Sequence, residues 1–370
     1  MRTKILTTLG VLALAGAASY WTSAGVTVSA ADVGPQMSSI GPLTFGPDGV
    51  LFAADTQAAT IYALELGDKA NGGAPGTQAV DAIDQKIAGL LGTDAKEIAI
   101  TDMVVHPRTR NAYIAVRRGQ GTDSKPALLR VDGAGKIAIV SFENMKHSKV
   151  ALPNAPNAGT NPQRDPRQQS VTDMAFSDGR LYIAGLSNEE FASKLRSVKY
   201  PFAAVDKDAT GTSVEVFHGN HGQLETRSPV YAFLPYAINN TPHLVAAYLC
   251  TPLVKFPVAS LQPGTKVVGT TIAELGNRNR PIDMLVYKKD GREFLLMSNT
   301  ARGVMKIPTD NFATATPITA PVKTETGGVA YETVTAMKGI EQLDLLDAGR
   351  TVALSRVDGG ALNLVTAALP

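Results

Sequence analysis

Residues able to do chemistry gather in two places in this sequence. The first is the stretch FHGNHGQLETRSPV, which carries His218, His221, Glu225 and Arg227. Two imidazoles with a carboxylate close behind could ligate zinc or copper. The same set, His218, His221 and Glu225, could supply a catalytic general base, because imidazole changes charge near neutral pH. A polar turn with ordinary histidines is the competing reading. Cys250 follows the apolar run LVAAYL and precedes Thr251-Pro252. It reads as a thiol buried at a strand end, or as a nucleophile if His218 or His221 stood close enough to activate it. No Gly-x-Ser-x-Gly elbow, Walker loop or dinucleotide fingerprint occurs.

The second place is visible only once the chain is cut into repeats. PIDMLVYKKDGREFLLMSNTARGVMKI reads as three short strands joined by tight turns. Related units start near Ile40, Thr101, Val171, Ser228 and Ile340. Leu43, Met103, Met174, Val230, Met284 and Gln342 mark the same position in each, at separations of 60, 71, 56, 54 and 58 residues. Such a period, with several strands per repeat, predicts an all-β fold, a six-bladed β-propeller, with a seven-bladed ring as the alternative. Fourth strands are expected at Lys136–Val140, Ser213–His218 and Lys266–Leu275. The last repeat has three strands, so the segment Val26–Val33 is expected to close the ring. Val80–Leu91 reads as a short helical insertion, with Ile83, Ile87, Leu90 and Leu91 on one face. Lys146–Gln169 reads as a long loop.

In a propeller, the start of each inner strand and the end of each second strand share one face, at the channel mouth. The starts hold Asp102, Asp173, Asp283 and Glu341, with Pro42 and Pro229 in the other two blades. The ends hold Asp55, Arg117 or Arg118, Asn188, Thr251 beside Cys250, Asn299 and Arg356. Asp102, Arg117, Asp173, Asn188, Arg227, Cys250, Asn299, Glu341 and Arg356 are therefore the candidate ligand-binding residues. Asp283, Asn188 and Asp173 are the candidate metal ligands, suited to a hard divalent cation such as calcium. The alternative is structural: an acid entering an inner strand can accept backbone N–H bonds from the next blade. The histidine stretch leads into the fourth inner strand and is expected to overhang the same mouth.

The N-terminus reads as an export signal. Arg2 and Lys4 precede the uncharged apolar run Ile5–Ala18, and cleavage is expected after Ala24 or Ala30. This gives a signal peptide at 1–24 (or 1–30), one propeller domain over 31–370, and a periplasmic or secreted location. Without Arg2 and Lys4 the chain has 33 basic and 33 acidic residues, which argues against a nucleic-acid partner. A small molecule or a periplasmic protein is the expected partner, with no membrane contact beyond export. The single cysteine forbids an intrachain disulfide.

The repeats resemble those of six-bladed propellers of the NHL and gluconolactonase/paraoxonase-like group. GPLTFGPDGVLFAADTQAATIYAL is similar to one of their blades and the PIDML stretch to a later one. In lactonases of that group, Glu, Asn and Asp at the mouth bind a catalytic divalent ion. The resemblance implies that role for Asp283, with Asn188 as companion. The Glu position holds Ile40, and the Asn position holds Thr101-Asp102. No Trp-Asp repeat occurs, and the only tryptophan, Trp21, lies in the export segment, so pyrroloquinoline quinone is not expected. Without Cys-x-x-Cys-His there is no covalent haem. Three functions remain: a propeller binding a ligand or partner at its mouth, a calcium-dependent lactonase- or esterase-like hydrolase, and a redox-associated zinc or copper site at His218, His221 and Cys250.

Overall fold

The computed structural model describes the backbone of residues 26–28 and residues 34–68, 76–121, 124–159, 165–203 and 207–370 in full. The expected export signal over 1–24 and both expected cleavage positions, after Ala24 or Ala30, lie outside the described residues. No helix among the described residues is long and apolar enough to cross a membrane.

The chain forms six sheets around a channel, antiparallel but for one parallel pairing, a six-bladed β-propeller. Blade 1 contains Leu43–Phe45, Val50–Asp55 and Thr60–Glu65. Blade 2 contains Ile98–Val105, Ala112–Arg118, Lys125–Val131 and Ile137–Ile139. Blade 3 contains Asp173–Ser177, Arg180–Leu186, Ser193–Lys199 and Thr212–His218. Blade 4 contains Val230–Ile238, Thr241–Tyr248, Pro252–Pro257 and Thr270–Glu274. Blade 5 contains Pro281–Lys289, Arg292–Asn299, Gly303–Pro308 and Glu332–Thr333, and blade 6 Ile340–Asp347, Arg350–Ser355 and Asn363–Ala368.

The second strand of each blade is covered on both faces by the neighbouring blades. Its sequence is therefore a continuous apolar run, such as Ala112–Val116 or Phe294–Met297, rather than an alternation. Inner strands face the channel on one side and are only partly buried, as in Pro281–Lys289. The hairpins joining inner to second strands include three two-residue turns, Asp178-Gly179, Asn239-Asn240 and Asp290-Gly291. Both residues of each have positive φ, between 49° and 73° in the first two and 51° and 78° in the third. That geometry matches the twist of the flanking strands and selects Asn, Asp and Gly.

The blades do not follow one another around the ring in sequence order. Six apolar cores separate neighbouring blades. Leu43 and Leu51 of blade 1 pack with Tyr113 and Leu128 of blade 2. Met103 and Ile114 of blade 2 pack with Val352 and Leu364 of blade 6. Phe52 and Ile61 of blade 1 pack with Leu181 and Val198 of blade 3. The remaining cores join blades 3 and 4, 4 and 5, and 5 and 6. The ring order is thus 2-1-3-4-5-6, closing from 6 back to 2.

The chain achieves this by doubling back. After blade 2 it returns to the outer edge of blade 1, where His147–Ala151 pairs antiparallel with Thr60–Leu64. The start of the expected long loop is therefore the fourth strand of blade 1. Its signal is weak because Val150 is its one buried side chain. The expected closure by the N-terminal segment is also corrected. Val26–Val28 pairs with Ser148–Val150 and forms a fifth strand on blade 1. Blade 6 is instead sealed by the insertion between blades 1 and 2. Val80 and Leu364 exchange backbone hydrogen bonds of 2.9 Å in both directions, and Ile83 N–H donates to the Leu362 carbonyl at 2.8 Å. The helix Ile83–Leu90 follows directly, with Ile83 and Ile87 fully buried between blades 2 and 6. A short extended segment completes an edge wherever the ring order brings it, and a local sequence pattern does not carry that order.

Candidate functional site

The acids at the inner-strand starts face one another across the channel, and each is engaged by backbone. Asp102 accepts the N–H of Leu43 in blade 1 at 2.6 Å and that of its own neighbour Met103 at 2.8 Å. Asp173 accepts from Phe233 of blade 4 at 2.7 Å and from Met174 at 2.7 Å. Asp283 accepts from Leu343 of blade 6 at 3.0 Å. The preceding threonines complete the motif: Thr101 donates to the Ile40 carbonyl at 3.0 Å and Thr172 to the Val230 carbonyl at 2.5 Å. The repeated Thr-Asp-Met triplet is thus a clasp between blades, satisfying one carbonyl and one amide of the next inner strand.

In blade 6 the clasp acid lies two residues further along the inner strand, because Gln342 follows the bulge after Ile340 where Asp102 and Asp283 follow theirs. Asp344, not Glu341, accepts the N–H of Val105 in blade 2 at 2.6 Å. Gln342, its amide nitrogen turned to the channel, donates to Asp102 Oδ1 at 3.0 Å and Asp283 Oδ2 at 2.7 Å. Burial pushes the carboxyls of Asp102, Asp173 and Asp283 well above the usual range, and neighbouring ring acids add to it. Asp344 is raised by burial to about 6, against the pull of its two backbone hydrogen bonds. Asp283, Asn188 and Asp173, the expected calcium ligands, are each engaged elsewhere in the fold. The two carboxylates are committed to backbone amides, and Asn188 is exposed outside the cavity lining, its N–H donating to the Asn154 carbonyl at 2.8 Å.

Above the clasps lies a cavity of about 520 Å³ at the channel mouth. Its wall includes Arg117, Tyr231, Arg280, Glu341, Gln169 and several threonines. Arg117, at the end of the second strand of blade 2, pairs with no carboxylate among the described residues, and its Nε is buried without a partner. The Arg280 guanidinium lies 4.9 Å over the Tyr231 ring. Gln169 donates to the Tyr231 hydroxyl at 3.4 Å. Glu341 is held by Arg356 Nε at 2.8 Å, and Arg356 reaches Asp84 in the first turn of the insertion helix at 3.2 Å. Asn299 is buried and satisfied internally by Asn279, Met297 and Gly303. Asp55 is consumed in the same way by the amides of Ser38, Ser39 and Ala58.

The histidine stretch sits at the same end of the ring but forms a separate pocket of about 350 Å³, which shares no lining residue with the mouth cavity. It occupies the seam between blades 3 and 4. Thr212–His218 pairs with blade 3 through two residues and runs parallel to Lys266–Val268, which lies between the third and fourth strands of blade 4. His218, His221, Glu225 and Arg227 line this pocket, with the exposed Leu224 and Leu249 at its rim. Glu225 Oε1 contacts Nδ1 of His218 at 3.1 Å and of His221 at 2.5 Å, and Ser228 donates to its other oxygen. Burial opposes ionisation of Glu225, but the hydrogen bonds from His218, Ser228 and His221 outweigh it and hold the carboxyl at about 2. Cys250, on the turn after the second strand of blade 4, joins this group.

Sequence reasoning brought His218, His221, Glu225 and Cys250 into one discussion, and the fold brings them into one place. It missed Tyr231, Arg280, Gln342, Asp344 and Glu274. Gln342 carried a signal, being the one polar residue at a marker position that is otherwise Leu, Met or Val. Tyr231 and Arg280 occur in single repeats and carried none.

No protein-family model matches this chain, and no curated protein matches it. Solved structures do. The soluble aldose sugar dehydrogenase of Escherichia coli in its apo form is 10% identical, over 94% of this chain and 100% of that one, with a TM-score of 0.36. A GH43 protein of the Bacteroides ovatus xyloglucan locus is 11% identical over 73% of this chain and 52% of that one, at 0.34. The plexin A4 extracellular region is 8% identical over 90% and 39%, at 0.39. At such values the likenesses carry no functional argument. The class rests on the blades themselves: a six-bladed β-propeller with a polar cavity at its channel mouth.

Proposed function

We propose that this protein is an exported propeller that binds a small, anionic, hydroxyl-rich ligand at the channel mouth. The observation that carries the reading is the pair Arg117 and Arg280 on the wall of a 520 Å³ cavity, neither in an ion pair among the described residues. A guanidinium fork suits a carboxylate. The surrounding threonines and glutamines suit hydroxyl groups, and the volume falls in the range of small-molecule pockets. The carboxylates beneath are occupied by the blade clasps and act as a floor. Export is supported by the Arg2, Lys4 and Ile5–Ala18 pattern, and a periplasmic or secreted location follows from it. The resemblance of the repeats to the NHL and gluconolactonase-like propellers favours the same end of the channel for binding.

The test is calorimetry and thermal unfolding with gluconate, glucuronate, citrate and neutral glucose. Saturating carboxylate ligand at a hundredfold excess over Kd is expected to stabilise by about 2.7 kcal/mol. The effect should be lost in Arg117→Ala and Arg280→Ala. Equal responses of wild type and both variants, or no response to any carboxylate, would overturn the reading.

A further inference from the structure

We infer that His218, His221 and Cys250 form a binding site for a borderline or soft transition metal, copper or zinc. One nitrogen of each imidazole and the Cys250 sulfur all lie within 4.8 Å of one another. Metal-bound nitrogen and sulfur atoms stand roughly 3.5 Å apart at ordinary bond lengths. A small inward movement therefore closes the set, and His221, with 45% of its side chain exposed, is free to make it.

An independent observation points to a missing ligand. The His218 side chain is 2% exposed, yet its Nε2 has no hydrogen-bond partner. A buried, unpartnered polar atom is costly, and a metal would satisfy it. Glu274 Oε2, 3.7 Å from that nitrogen, is also buried without a hydrogen-bond partner, and its other oxygen takes the Gly219 amide. It stands ready as a fourth donor or as an acceptor beside the ion.

Outer contacts fit the same purpose. Glu225 holds both imidazoles by Nδ1, which leaves the Nε2 lone pairs for coordination, as carboxylates behind metal-binding histidines do. Two imidazoles and a thiolate select copper or zinc over the hard cations calcium and magnesium. The site spans the seam between blades 3 and 4, so an ion there would also staple the two blades. It is independent of the mouth cavity.

The experiment uses the full-length exported chain, stripped with chelator and titrated separately with Zn(II), with Co(II) as its spectroscopic stand-in, and anaerobically with Cu(I) against a chromogenic chelator. One metal per chain is expected, with a thiolate-to-cobalt charge-transfer band. Cys250→Ser should abolish that band, and Glu225→Gln should weaken binding by about ten- to a hundredfold. His221→Ala, at an exposed position, should weaken it at least as much while unfolding as the wild type does. A stronger response to Cu(I) than to zinc, or the reverse, names the metal. Failure of all three ions to bind stoichiometrically, or binding unchanged in Cys250→Ser and His221→Ala, would overturn the inference.

Discussion

Asp344 of blade 6 accepts the backbone N–H of Val105 in blade 2 at 2.6 Å, across 239 residues of sequence. Its other oxygen takes the Leu345 amide at 2.7 Å. Asp344→Ala leaves both amides without an acceptor, at about 1–3 kcal/mol each. Glu341→Ala, three residues away, removes a surface ion pair and should cost about 0–1 kcal/mol. Urea unfolding of the two variants compares them directly. Equal losses would contradict the clasp.

The same residue gives the fold a defined pH response. Its folded carboxyl stands at about 6, against an ordinary value of 3.8. Between those values the folded chain binds more protons than the unfolded chain, so stability falls as pH rises through this window. Asp102, Asp173 and Asp283 are shifted in the same direction. The thermal midpoint is therefore expected to gain from these groups on going from about pH 7 to about pH 5. Asp344→Asn should reduce that gain, and an unchanged pH profile in the variant would refute the assignment.

Closure by the insertion can be tested at Val80. Val80→Pro removes the N–H that meets the Leu364 carbonyl, and proline cannot replace it. Amide exchange in Asn363–Ala368 should accelerate while blades 3 and 4 stay protected. Ile87→Ala, emptying a fully buried position beneath the same segment, should cost about 2–5 kcal/mol.

The neighbourhood of blades 1 and 3 predicts an energetic coupling. Phe52 and Phe176 stack with ring centroids 5.6 Å apart. A double-mutant cycle to leucine is expected to return about 0.5–1.5 kcal/mol. Coupling indistinguishable from zero would count against the ring order.

The number of blades and three of the fourth strands were legible in the sequence, because doubly covered second strands leave unmistakable apolar runs at a steady period. The clasp acids were legible as positions: Asp102, Asp173 and Asp283 stand where alignment of the repeats put them. Their use was open until the backbone donors Leu43, Phe233 and Leu343 were seen. Asp344 was hidden because it lies two residues beyond Gln342, which takes the place after the strand-start bulge that Asp102 and Asp283 hold in their blades. The approach of Glu274 to His218 was invisible, because the two lie on different blades. The ring order was also beyond the sequence, since any blade offers its neighbours the same kind of apolar face.

That order has a consequence for synthesis. A chain made from its N-terminus cannot finish blade 1 until His147–Ala151 has emerged, by which time blade 2 is already present. Blade 6, the last made, must find Val80, among the earlier residues. The first two blades therefore mature as one unit with an open edge at each stage, the situation in which strands pair with foreign chains. A fragment ending near residue 140 should hold all four strands of blade 2 but leave blade 1 without His147–Ala151, and aggregate through that open edge, whereas an ordinary ring would yield two complete blades from the same length.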